Sequence, residues 1–134
     1  MDRVFLDANV LYSAAYLDSA GLAQLWKLEG VQLLSSSYAI EEARRNLMVD
    51  RPEAMTRLAR LLESVSTVEA SHDLELPPNI RLDRKDQPIL LAAIRGKADY
   101  LLTGDVRHFA HLYGKRIEGA MVLRPAQYFA RRAA

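Results

Sequence analysis

Short apolar runs alternate with segments of helical period along the whole chain. Residues 3–6 form an apolar run closed by Asp7, the composition of a buried strand. Residues 9–15 and 21–28 read as helical, with Ser19 placed to cap the second segment and Gly30 to stop it. Residues 31–34 give a second apolar strand, and the serines at 35–37 can cap a helix over 38–48. Pro52 suits the first turn of a further helix, in which Met55, Leu58, Ala59 and Leu62 recur at helical spacing. Residues 65–70 alternate as a strand does, and 71–82, holding Pro77, Pro78 and Asn79, read as a surface loop. The clearest helix spans 87–97, with Ile89, Leu90, Ala93 and Ile94 on one side and Gly96 near its end. A strand over 99–103 stops at Gly104, residues 106–112 form a short helix or turn, 120–123 make a last strand, and Pro125 opens a terminal helix. Strands alternating with helices predict a mostly parallel sheet covered on both faces and joined by right-handed crossovers.

Acidic residues sit at the edges of these apolar segments, where open α/β sheets place their active sites. Asp7 follows Val4-Phe5-Leu6, Asp86 precedes Gln87-Pro88, and Asp105 follows Tyr100-Leu101-Leu102-Thr103-Gly104. Each has a plain structural use: Asp7 and Asp86 as helix caps, Asp105 as a turn residue. Glu41 and Glu42 are neighbours on a predicted helix and point about 100° apart, so at most one serves a given site. Glu42 lies nearer the edge carrying Ala39 and Ala43, whereas Glu41 projects toward solvent. Asp83 is the reserve acid beside Asp86. Brought together, such carboxylates repel one another unless a cation fills the gap, which points to a hard divalent metal and to phosphate chemistry. Asn9 and Thr103 are placed to orient the carboxylates or a metal-bound water. Phosphatases with an aspartate nucleophile commonly carry a second aspartate two residues on; here that position is Asn9, which cannot act as a general acid.

Composition narrows the field. A chain of 134 residues suits one domain, spanning 1–134. Half the residues are apolar, yet no run approaches the roughly 18 that a membrane span needs, and no signal peptide opens the chain, so a soluble, cytoplasmic protein is expected. The absence of cysteine excludes disulfide frameworks, zinc ribbons and thiolate nucleophiles. A net charge of +1 makes no argument for nucleic acid by itself. Arginines do cluster, at 44–45, 51, 57, 60 and 131–132, with Arg107, Lys115 and Arg116 between; they are solvated helix faces or phosphate contacts around an acidic centre. His108 and His111 make a weak zinc signal without a third ligand, and His108 beside Arg107 could touch a phosphate. His72 reads as a loop residue and Trp26 as core, and neither a Gly-x-Ser-x-Gly elbow nor a glycine-rich phosphate loop is present.

The acids and their contexts occur in an order that resembles the PIN-domain family of metal-dependent nucleases over essentially the whole chain. Val4-Phe5-Leu6-Asp7-Ala8-Asn9-Val10-Leu11 is similar to that family's opening strand and first acid. Tyr38-Ala39-Ile40-Glu41-Glu42-Ala43-Arg44-Arg45-Asn46-Leu47 is similar to its second-acid helix, and the alignment selects Glu42. Asp86-Gln87-Pro88-Ile89 and Ala98-Asp99-Tyr100-Leu101-Leu102-Thr103-Gly104-Asp105 resemble the third and fourth acids, and residues 122–129 the closing strand and helix. The resemblance implies a three-layer α/β/α fold around a mostly parallel sheet, with Asp7, Glu42, Asp86 and Asp105 holding Mg²⁺ or Mn²⁺. It further implies an RNA substrate, a VapC-type toxin role with a small antitoxin partner, and a homodimer. The alternative of a different class is a PIN-like module that binds RNA or protein without cutting.

Overall fold

The computed structural model describes residues 1–17, 21–69 and 74–133. Six strands form one sheet: β1 (Asp2–Leu6), β2 (Val31–Ser35), β3 (Val65–Thr67), β4 (Tyr100–Leu102), β5 (Arg116–Ile117) and β6 (Ala120–Leu123). Six α-helices accompany them: α1 (Ala8–Tyr16), α2 (Ser37–Asp50), α3 (Met55–Leu62), α4 (Gln87–Arg95), α5 (Val106–Phe109) and α6 (Pro125–Ala133). The strand order is β3-β2-β1-β4-β6-β5, and every pairing is parallel except that of β5 with β6.

Consecutive residues of the central strands are buried, which requires cover on both sides because neighbouring strand side chains point to opposite faces. Val4, Phe5 and Leu6 of β1 are all fully buried, as are Leu101 and Leu102 of β4. Each such side chain contributes about 1.5–3 kcal/mol relative to exposure. The chain steps from β1 to β2 to β3 in one direction, then returns to β4 on the far side of β1. Right-handed crossovers in the two directions put the intervening helices on opposite faces. The reversal also makes the gap between β1 and β4 the switch point of the sheet, where a crevice opens at the carboxyl ends of the strands. Register fixes what lies there: Leu6 pairs with Leu102, and the Asp7 amide donates to the Leu102 carbonyl at 3.0 Å.

The fold is thus the expected α/β arrangement with a mostly parallel central sheet, and its departures from expectation are local. The two-residue strand β5 is unsignalled by periodicity, being too short to alternate; it turns back on β6 through Glu118 and Gly119, both at positive φ. Residues Gly21–Lys27 wind as a 3₁₀ helix, not an α-helix, and Pro52–Ala54 make a 3₁₀ turn before α3 begins. In α3 Leu58 is buried but Ala59 is exposed, so the apolar stripe is narrower than its spacing suggests. Helix α4 stops at Arg95, where Gly96 meets Val68 so closely that a Cβ there would lie 2.9 Å from a Val68 methyl. Ser36 is the serine that caps α2, accepting from the Ala39 amide, while Ser35 is buried in β2 and donates to the Leu6 carbonyl. Trp26 packs against the core and donates its indole N–H to the Leu61 carbonyl. Strand β3 ends at Thr67, short of the expected 70, and the cap expected at Ser19 and the loop residue His72 lie outside the described residues.

Candidate metal centre

Asp7 closes β1 and caps α1, and these two duties place its carboxylate at the switch-point crevice. One oxygen accepts from the Ala8 amide at 2.6 Å; the other accepts from the Thr103 hydroxyl at 2.8 Å and the Asn9 amide at 3.2 Å. Asn9 in turn accepts from the Gly104 amide at 2.7 Å, and Thr103 accepts from the Asp105 amide at 3.1 Å. Asn9 and Thr103 therefore tie the end of β1 to the end of β4. A side chain at Gly104 would press on this tie, its Cβ 3.3 Å from the Asn9 oxygen. Asp7 is only 5% exposed, and burial pushes its carboxyl up to about 6, against the pull of the Thr103 and Ala8 hydrogen bonds. The charges of Glu42 and Asp86 add to the rise, which places both within electrostatic reach of Asp7.

Glu42 and Glu41 divide as the helix requires. Glu41 turns to solvent and pairs with Arg44 at 3.2 Å, whereas Glu42 is half-buried and faces Asp7 and Tyr38. Tyr38 donates to the Lys85 carbonyl at 2.7 Å, fixing the start of α2 to the loop that carries Asp86. Asp86 occupies the cap position of α4, but its side chain makes no capping bond. Its carboxylate is 8% exposed, and Oδ2 is left without a hydrogen-bond partner. Burial raises the Asp86 carboxyl, His108 opposes that rise and Asp105 adds to it. A buried carboxylate oxygen without a donor is expensive unless something positive reaches it.

Asp105 caps the short helix α5, and both its oxygens are taken by one residue. Oδ1 accepts from the His108 amide at 3.1 Å, and Oδ2 lies 2.7 Å from His108 Nδ1. Burial raises this carboxyl, but the His108 side-chain and backbone bonds more than offset it and hold Asp105 below the usual range. His108 reaches further: its Nε2 lies 3.1 Å from Asp83 Oδ2, and its Nδ1 lies 3.4 Å from Asp86 Oδ2. One donor atom each from Asp83, Asp86 and His108 fall within 4.8 Å of one another. The donor cluster found among the described residues is therefore not the four acids: of them it holds Asp86 alone, joined by Asp83 and His108. His108 stands three residues after Asp105, the spacing that folds a helix side chain back over its cap, and that spacing was the available signal. His111 is not part of the group; its Nε2 lies 2.7 Å from the Arg81 carbonyl.

The donor set fits a hard divalent cation: Asp7 and Asp86 are buried carboxylates whose pKa neighbouring acids raise further, and one Asp86 oxygen lacks any donor. A solvent-open cleft of about 470 Å³ leads to it, lined by Arg81, Asp83, Gln87, Arg107, His108 and His111. Arg45 is exposed near Tyr38, while Arg57 is committed to the carbonyls of Ala15 and Tyr16 and Arg132 to Asp2 and Glu29. Of the arginines, Arg81 and Arg107 stand on the cleft itself. No helix among the described residues is long and apolar enough to cross a membrane.

A family profile described as PIN domain matches residues 3–107, a span that takes in all four acids. The chain belongs to the PIN-domain family. PIN domains are in general nucleases, which puts this one among the hydrolases at that level. Comparison with curated protein sequences gives no significant match. Among solved structures, a chain in the crystal structure of VapBC2 from Rickettsia felis bound to a DNA fragment from their promoter shares the fold, with a TM-score of 0.63. The likeness covers 91% of this PIN domain and 98% of that chain at 16% sequence identity.

Proposed function

We propose that this PIN domain is a metal-dependent endoribonuclease, the toxin of a toxin–antitoxin pair. Its sites are Asp7, Glu42, Asp86 and Asp105, holding Mg²⁺ or Mn²⁺, with Asn9 and Thr103 in support. The observation that carries the reading is the buried Asp86 oxygen without a donor, set among carboxylates whose mutual repulsion calls for a cation. Such an ion supplies a nucleophilic water at neutral pH and offsets charge on the leaving oxygen. The chain's own residues do the rest. Thr103 and Asn9 hold one Asp7 oxygen in direction and thereby keep β1 and β4 at fixed separation. Arg107, on the cleft, is placed to grip a backbone phosphate of the entering strand.

The wider reading is one cytoplasmic domain spanning 1–134, acting as a homodimer on RNA and inhibited by a small antitoxin. It rests on the family and on the likeness to a chain of a structure whose name pairs VapB with VapC. The test is cleavage of labelled single-stranded RNA by purified protein with Mn²⁺, beside EDTA and Asp7→Asn arms. Cutting that needs the metal and is lost in the variant supports the nuclease. A folded wild type that binds both Mn²⁺ and RNA but leaves the RNA whole replaces it with a non-cleaving RNA-binding module.

A further inference from the structure

We propose that His108 is a nitrogen ligand to a divalent ion seated between Asp83 and Asp86, which biases this centre toward first-row transition ions over Mg²⁺. The inference deepens the metal-centre reading above and rests on it. Three observations lead there. His108 Nδ1 is held by Asp105 at 2.7 Å, which orients the ring so that Nε2 is the nitrogen left to meet an ion. That is the carboxylate–histidine–metal arrangement, in which the outer carboxylate fixes the tautomer and orients the ring.

The second observation is what the ring faces. Nε2 lies 3.1 Å from Asp83 Oδ2, so the ring's second nitrogen and a carboxylate oxygen face each other at the mouth of the cleft. Donors each about 2.1 Å from an octahedral ion and at right angles to one another sit roughly 3 Å apart, the separation seen here. The third observation concerns Asp86, whose Oδ2 lies 3.4 Å from the ring's other nitrogen. Asp86, 8% exposed, directs an oxygen without a hydrogen-bond partner into the same group.

Carboxylates alone suit Mg²⁺ and Mn²⁺, whereas an imidazole favours ions further along the first transition row. A His–Asp–Asp set therefore predicts tighter binding of Co²⁺ than of Mg²⁺. Asp105, besides the ligand role proposed above, positions the ring that meets the ion. The open cleft at Asp83 and His108 provides the entry path.

The experiment titrates metal-free protein with Co²⁺ and, separately, Mg²⁺, and records the proton spectrum of the Co²⁺ form. Wild type is expected to show a hyperfine-shifted, exchangeable imidazole N–H that vanishes in His108→Gln. The same substitution should weaken Co²⁺ by at least the roughly 10- to 100-fold seen when a ligand's supporting partner is lost, with a far smaller change for Mg²⁺. Asp83→Asn alters an exposed side chain, leaves folding intact and should weaken Co²⁺ likewise, so the proposal does not hang on the folding of one variant. Unchanged Co²⁺ affinity in both variants, with no shifted imidazole proton in wild type, overturns the inference; binding still lost in Asp7→Asn would then leave the acidic metal centre standing. Folded wild type that binds neither ion overturns both.

Discussion

Asp7→Asn should make the metal-free protein more stable while abolishing its activity. In the unfolded chain this carboxyl titrates near 3.8, and in the folded protein near 6. Between those values the folded state binds more protons, so stability falls as pH rises and is fully reduced above about 6. Two pH units at about 1.4 kcal/mol each set a penalty of about 3 kcal/mol at pH 8, which a neutral amide escapes. The amide nitrogen must, however, replace the oxygen that accepts from the Thr103 hydroxyl at 2.8 Å and the Asn9 amide at 3.2 Å; the hydroxyl can turn to accept, whereas the Asn9 amide cannot. That mismatch costs about 1 kcal/mol, leaving a net gain of about 2 kcal/mol, or roughly 5–10 °C in Tm for a chain of this size. Thermal unfolding in EDTA at pH 5 and pH 8 measures it. The advantage of the variant should be about 1.4 kcal/mol larger at pH 8, since one further pH unit of the penalty develops there. Saturating Mn²⁺ should reverse the order, because a ligand at a hundred times its Kd stabilises wild type by about 2.7 kcal/mol and the variant hardly at all. A variant less stable than wild type at pH 8 without metal, or equally stabilised by Mn²⁺, refutes the reasoning that repulsion and burial at Asp7 are relieved by a cation.

Other expectations concern the residues around it. Thr103→Val removes the hydroxyl that donates to Asp7 and accepts from the Asp105 amide; denaturant titration should show a loss of about 1–3 kcal/mol, together with reduced cutting. Glu42→Gln should abolish metal-dependent cleavage and Glu41→Gln should not, since Glu41 pairs with Arg44 at the surface; equal loss in both assigns the wrong neighbour. Leu102→Ala, at a fully buried position beside β1, should cost about 2–5 kcal/mol by the same titration.

The legible part of the fold followed from side-chain periodicity. Fully buried parallel strands read as unbroken apolar runs, so β1, β2, β4 and β6 were visible, and the fixed hand of the crossovers then orders them. What escaped was set by backbone and tertiary context. Strand β5 is two residues long and exists because Gly119 and Glu118 turn the chain back. The 3₁₀ winding of Gly21–Lys27 carries the same apolar residues an α-helix would, so pattern alone did not distinguish them.

At the site, acids at strand ends were conspicuous, and the structure gathers Asp7, Glu42 and Asp86 into one field. The sequence reads Asp86 as a helix cap, and it does occupy the cap position of α4, but its side chain makes no capping bond. The part taken by His108 was hidden because it depends on the turn carrying Asp83 and Asp86 converging on the loop that carries Asp105. A histidine beside a lone acid carries little meaning in a sequence; beside three it becomes a candidate ligand.

The most direct test of the central claim is the oxygen bookkeeping of a cut RNA. Cleavage with Mn²⁺ in ¹⁸O-water, followed by mass analysis of the product ends, reports which group attacks phosphorus. A metal centre built from these acids predicts one ¹⁸O in a terminal phosphomonoester, with no product in EDTA or from Asp7→Asn. A 2′,3′-cyclic phosphate free of label, or cutting that persists without metal, would contradict it.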